Sequence, residues 1–363
     1  MTPSPIDRNY SMDALRVLAM LMVVVLHIAG FTGLAKIPFS EYPLSRLLSS
    51  AEHSFSMCAV NVYAMLTGYF CINSARFKPD RYIRLWLLVA FYTSSIYAIF
   101  AIGSILYPER FAESVLPPYM LYPIPMASGY WYFNAYTVVF LMIPFVNGFL
   151  QTLSEKRYKL LLMLILIALP GLQLLNLNTG IGSGHNAVWL LIMYCAGAYL
   201  KLHPLSVKRR YLLLAMGALL GLMMGLGALT TSGACGSSNC LPYHVLMGIC
   251  LMLFFSRTTI SAQWLCKIIS QAAPLAFGVY IIHLHPFIWG RLPEWLEMAG
   301  EYRMQWWFIP VASLTLFVAC LLIDYCRVLL FRLSRAEALV QLLTRWCIKL
   351  YECTIGKILI KTE

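Results

Sequence analysis

The sequence predicts an all-α, polytopic membrane protein with about ten transmembrane helices and both termini cytoplasmic. Composition is the first observation. The 363 residues are 60% hydrophobic and only 12% charged, with a mean hydropathy of +0.73. A soluble domain is nearer half apolar and a quarter charged. The second observation is a series of apolar runs near 14–31, 54–72, 82–107, 130–150, 158–175, 186–201, 211–230, 242–256, 274–289 and 305–331. Each approaches the length needed to cross about 30 Å of hydrocarbon. In lipid the backbone satisfies its own polar groups, so each run reads as a helix.

Charge placement is the third. With the N-terminus inside, 22 of the 27 Lys and Arg residues fall in inner segments or the C-terminal tail. Only Lys36, Arg46, Arg110, Arg291 and Arg303 fall outside. This loop-by-loop alternation is the positive-inside pattern. It accounts for the net charge of +12 and excludes a nucleic-acid reading. No cleavable signal peptide is expected, because the first run ends in "HIAGFTG" without a small-residue cleavage site. Residues 1–331 form the predicted membrane domain. Residues 332–363 read as a basic amphipathic tail on the inner surface. Cys235 and Cys240 share an outer loop, where a disulfide and two free thiols are both open. No cysteine pair has zinc-site spacing, and no metal site is expected.

Ionisable groups inside apolar helices are the candidates for chemistry, because burying them is costly. In "MDALRVLAMLMVVVLHIAG", Arg16 and His27 lie eleven steps apart. That is about 16 Å along a helix and about three turns, so both share one face. Asp13 reads as the helix cap. The alternative is headgroup anchoring by Arg16 and a hydrogen-bonded core histidine. Arg81 and Arg84 in "RYIR" share an inner helix face, either to grip phosphates or to anchor. "GVYIIHLHPF" supplies Tyr280, His283 and His285, and "SGYWYFNAY" supplies Trp131, Tyr132 and Asn134. An aromatic belt competes with substrate binding for the tryptophan. Asn61, Thr67 and Gly68 in "NVYAMLTGYF" suit close helix packing. There is no P-loop, dinucleotide fingerprint or nucleophile elbow. Few acidic residues lie deep in helices, with Asp324 as the main exception, and this scarcity argues against a proton-coupled transporter.

These fragments, in this order, resemble the acyltransferase type 3 family of integral membrane enzymes. The resemblance rests on "DALRVLAMLMVVVLH", "VNVYAMLTGYF", "RYIR", "YWYFNAY" and "YIIHLHP", and spans nearly the whole membrane region. "SMCAVNVYAMLTGYF" and "AVWLLIMYCAGAYLK" look most like members from capsule and exopolysaccharide gene clusters. Thr67 stands where many members have Ser, and Asn61 where many have Pro. The resemblance implies a bacterial inner-membrane enzyme that moves an acetyl group from cytoplasmic acetyl-CoA to a hydroxyl of a surface glycan or lipid-linked oligosaccharide. His27 and Arg16 would be catalytic, with His27 as general base or transient acyl carrier. Arg81 and Arg84 would bind the donor. Asn61, Trp131, Asn134, Tyr280 and His283 would bind substrate. Acetyl-CoA would be a substrate, with no permanently bound cofactor. A flippase for a lipid-linked glycan and a non-catalytic scaffold are the rival classes.

Overall fold

A computed structural model describes residues 8–34, 37–38, 40–74, 78–111, 129–229 and 236–351. Cys235 of the candidate disulfide, and the basic residues Lys36, Arg76, Lys357 and Lys361, lie outside the described residues. The helices are α1 (Tyr10–Thr32), α2 (Pro43–Ser56), α3 (Ala59–Cys71), α4 (Pro79–Leu106), α5 (Pro108–Phe111), α6 (Trp131–Thr152), α7 (Glu155–Leu174) and α8 (Ala187–Leu202). They continue with α9 (Arg209–Leu229), α10 (Pro242–Ser256), α11 (Gln263–Ala272), α12 (Ala276–His283), α13 (Pro286–Glu297), α14 (Phe308–Leu333) and α15 (Ala336–Tyr351).

Seven spans among the described residues are long and apolar enough to cross a membrane: α1, α4, α6, α7, α9, the joined α11–α12, and α14. Helices α8 and α10 are apolar but shorter. The expected run 54–72 is divided in two. Only Ala59–Cys71 forms α3, about 20 Å long at 1.5 Å per residue. The segment before it is the separate polar helix α2, whose Ser45, Ser49, Ser50, Ser54 and Ser56 are buried against protein. The expected run 274–289 also shifts. The long span is Gln263–His283, and the chain breaks after it. Pro286 pushes His285 into an extended conformation (φ −58°, ψ 130°), and α13 starts anew.

Helix α1 sits at the centre, touching α2, α3 and α10 through α14. Asn9, not Asp13, caps it, accepting a bond from the Met12 amide at 3.1 Å. Asp13 lies one turn inside and bridges Arg8 (2.7 Å) and Arg16 (2.9 Å). Exposed apolar side chains such as Ile99, Ile105, Phe145, Leu164 and Leu214 form the lipid-facing surface.

Two contacts hold the bundle closely. Helices α3 and α8 meet backbone to backbone. A Cβ on Gly68 would lie 1.9 Å from the Tyr194 carbonyl oxygen, and one on Gly197 would lie 1.8 Å from that of Met65. Only glycine permits this approach. Alanine at either position forces the helices apart, at a cost of about 1–3 kcal/mol. Thermal unfolding in detergent is expected to show a lowered Tm for both variants and no rescue by ligand.

The second contact is a buried ion pair. The Asp324 carboxylate receives Nε of Arg327 at 2.6 Å, Nη2 at 3.0 Å and the Tyr92 hydroxyl at 2.8 Å. Each Asp324 oxygen is thereby engaged, which offsets the cost of burying the charge. The carboxylate fills the notch left by Gly278, where a Cβ would meet Asp324 Cγ at 2.3 Å. Helix α12 is thus pinned to α4 and α14.

Candidate active site

Helices α1 and α12 bring the two intramembrane histidines together. Nδ1 of His27 and Nε2 of His283 are 3.0 Å apart. Nδ1 of His283 is 2.6 Å from the Val279 carbonyl oxygen. A carbonyl only accepts, so His283 Nδ1 carries the hydrogen. In a neutral ring, His283 Nε2 is then the acceptor. His27 Nδ1 therefore donates to it, and His27 Nε2 keeps the lone pair. These tautomers are assigned from the hydrogen-bond partners. The His27 ring also lies edge-on to Trp289, with centroids 4.9 Å apart.

His27 lines a cavity with about 560 Å³ of atom-free space. Met20, Val23, Leu26 and His27 form its α1 wall, and Arg16 lies one turn before Met20 on the same helix. Tyr280 and Phe277 enter from α12, Trp131 and Tyr132 from the start of α6, and Tyr63 from α3. The Tyr132 amide donates to the Tyr280 hydroxyl at 3.3 Å, and the Tyr130 hydroxyl donates to the Ile281 carbonyl at 2.9 Å. These bonds fix the α6 aromatics against the helix that carries His283. His185, from the α7–α8 loop, stands edge-on to Trp131 at 4.5 Å. Burial lowers the His185 pKa and favours the neutral ring.

A second cavity, with about 1450 Å³ of atom-free space, lies between α4, α12, α14 and α15. Arg81, Arg84, Arg327, Arg332 and Arg335 line it, with Glu337. Phe277 is a wall of both cavities. Arg84 grips both carboxylate oxygens of Glu337 on α15. Arg81 sits one turn before Arg84 on the same cavity wall.

A family model described as an acyltransferase domain matches residues 9–327. The chain belongs to the acyltransferase type 3 family. No curated protein and no solved structure matches it. The seven apolar spans and this membership make the protein a multi-pass membrane acyltransferase. Helix α15 lies beyond the matched residues.

In this acyltransferase, the residues singled out from the sequence divide into three groups. His27, Trp131, Tyr132 and Tyr280 line the first cavity. Arg81 and Arg84 line the second. The rest stand behind these walls. His283 is fully buried behind His27. Arg16 pairs with Asp13, and its guanidinium lies 5.1 Å from the Phe70 ring. Asn61 is fully buried. It donates to the Asn239 carbonyl at 2.8 Å and accepts from Trp189 Nε1 at 2.9 Å, so its amide ties a loop to α8. Asn134 sits on α6, where its Oδ1 is buried without a partner among the described residues. His285 caps α13 by accepting from the Phe287 amide at 3.4 Å. Sequence reasoning missed Tyr63, His185, Asn239, Phe277 and Trp289. Two of these sit in loops that carry no helical periodicity. The others sit in apolar runs, where an aromatic at a cavity wall reads like any core residue.

Proposed function

We propose that this acyltransferase moves an acetyl group from acetyl-CoA to a hydroxyl of a surface glycan, across a bacterial inner membrane. The observation that carries the reading is the His27–His283 pair, with the His27 lone pair on a cavity wall. His27 Nε2 takes the proton of the acceptor hydroxyl as its oxygen attacks the thioester carbonyl. The carbon–sulfur bond breaks, and the CoA thiolate leaves and takes up the proton that His27 Nε2 received, which restores the neutral ring. As His27 becomes cationic, its Nδ1–H donates to neutral His283, which supports the charge.

The arginine-lined cavity suits the donor's phosphates, since guanidinium forks bind such groups bidentately. With that cavity on the cytoplasmic side, the pantetheine arm passes Phe277 to bring the thioester to His27. A phosphate that reaches Arg84 displaces Glu337 from it. Ten crossings are reached if α3, α8 and α10 cross in addition to the seven long spans, which leaves both termini cytoplasmic.

The test is acetyl-CoA consumption by the purified protein in liposomes, with mass spectrometry of host polysaccharide made with and without it. An acetyl increment that depends on the protein is the expected result. Glycan movement without thioester turnover would replace this reading with transport. Arg81→Ala/Arg84→Ala is expected to raise the donor KM about 10- to 100-fold, with acceptor KM unchanged.

The Arg84 guanidinium also lowers the pKa of the Glu337 carboxyl. A lowered carboxyl pKa means the contact is present at neutral pH and lost as pH falls below the ordinary carboxylate range. Limited proteolysis at falling pH should release the α15 segment in the wild type. In Glu337→Gln the release should be independent of pH.

A further inference from the structure

The cavity at His27 contrasts in charge with the cavity at Arg84. No Asp, Glu, Lys or Arg lines the first, whereas five arginines line the second. A wall without full charges does not repay the desolvation of a carboxylate or phosphate, so it selects a neutral group. Two of its side chains nevertheless carry polar atoms that nothing in the fold uses. Asn239 is 1% exposed, and its Nδ2 has no hydrogen-bond partner among the described residues. The Tyr63 hydroxyl is buried and also lacks a partner there. An unpaired buried donor costs about 1–3 kcal/mol, which is tolerated where a ligand completes it.

The position of Asn239 is built by its backbone. Its amide donates to the Ser183 carbonyl at 3.0 Å, and its carbonyl accepts from Asn61 at 2.8 Å. Its Cβ packs beside Gly184, where φ is +85° and an added Cβ would lie 3.2 Å away. The α7–α8 and α9–α10 loops are thus joined, and the Asn239 Nδ2 is left unspent. Trp131 lines the same cavity, and an indole is the kind of side chain on which the C–H face of a pyranose rests.

We propose that Asn239 and Tyr63 hold the hydroxyls of an uncharged sugar unit beside His27, and that this acyltransferase acts on neutral rather than acidic sugars. The inference rests on the acetyl-transfer reading and names the class of its acceptor. Asn239 supplies a donor to a sugar oxygen, and Tyr63 supplies one hydroxyl that both donates and accepts.

The test uses the full chain in liposomes with acetyl-CoA. The probes are matched gluco, galacto and manno pairs of methyl glycosides and methyl glycuronides. At least one glycoside is expected to be acetylated, with kcat/KM at least about tenfold above its glycuronide. Asn239→Ala and Tyr63→Phe are each expected to raise the glycoside KM about 3- to 10-fold, the loss of one hydrogen bond. Donor KM should not change, because the loop that carries Asn239 is tied by backbone groups and Tyr63 sits within α3. Equal use of glycuronides, or unchanged glycoside KM in both variants, overturns the proposal. So does a protein that consumes acetyl-CoA with other acceptors but none of the glycosides. A protein that never consumes acetyl-CoA defeats the acetyl-transfer reading itself, a result distinct from all of these.

Discussion

His27→Ala is expected to lower the rate of acetyl transfer by about 10²–10⁴-fold, the contribution of a positioned general base. The protein should still insert and bind donor. The substitution removes the only side chain of α1 on the cavity wall that has a lone pair and a partner to receive its charge. Single-turnover acetyl-CoA consumption in liposomes, with donor affinity measured in parallel, checks both halves. Wild-type turnover in this variant would remove His27 from the chemistry.

His283→Leu should have the second-largest effect. His283 does not line the cavity, so any loss acts through His27. Leucine removes the acceptor for the His27 Nδ1 hydrogen. The imidazole is then free to carry its hydrogen on Nε2, the nitrogen that faces the acceptor in the proposed step. A histidine in the wrong tautomer is a poor base even when its position is unchanged. Loss of the orienting partner in a serine protease triad, a case already known, shows how large such an effect becomes. A fall in kcat of about 10²–10³-fold is expected. Donor KM should be unchanged, and the pH–rate profile should move with the His27 environment. A structural role alone would instead lower Tm and leave the pH profile where it was. His283→Gln, whose side-chain oxygen restores an acceptor, should recover part of the rate.

Much of this was legible in the primary structure. The apolar composition and the low share of charge set the class. Apolar runs placed α1, α4, α6, α7, α9 and α14 to within a few residues. The spacing of Arg16 and His27 put them on one stripe, because helical geometry is local and needs no partner. The RYIR spacing put Arg81 and Arg84 on a single cavity wall, though only Arg84 is engaged by the tail.

Other features needed neighbours that no window of sequence contains. The break of the second run into α2 and α3 depends on a polar helix whose five serines are buried against protein. His283 and Tyr280 read alike in the sequence, yet one became a partner of His27 and the other a cavity wall. Asn61 read as a substrate residue, and its amide is committed to Asn239 and Trp189 instead.

What the sequence by itself determined was the membrane class, the stripe of α1 and the residues able to do acid–base chemistry. Each follows from composition or from periods of a few residues. Only the tertiary structure decided which nitrogen of His27 is free, because that depends on a residue 256 positions away and on the carbonyl behind it. It also separated a neutral cavity from an arginine-lined one with Phe277 between them, since a cavity's charge is the sum of side chains contributed by helices remote in the chain.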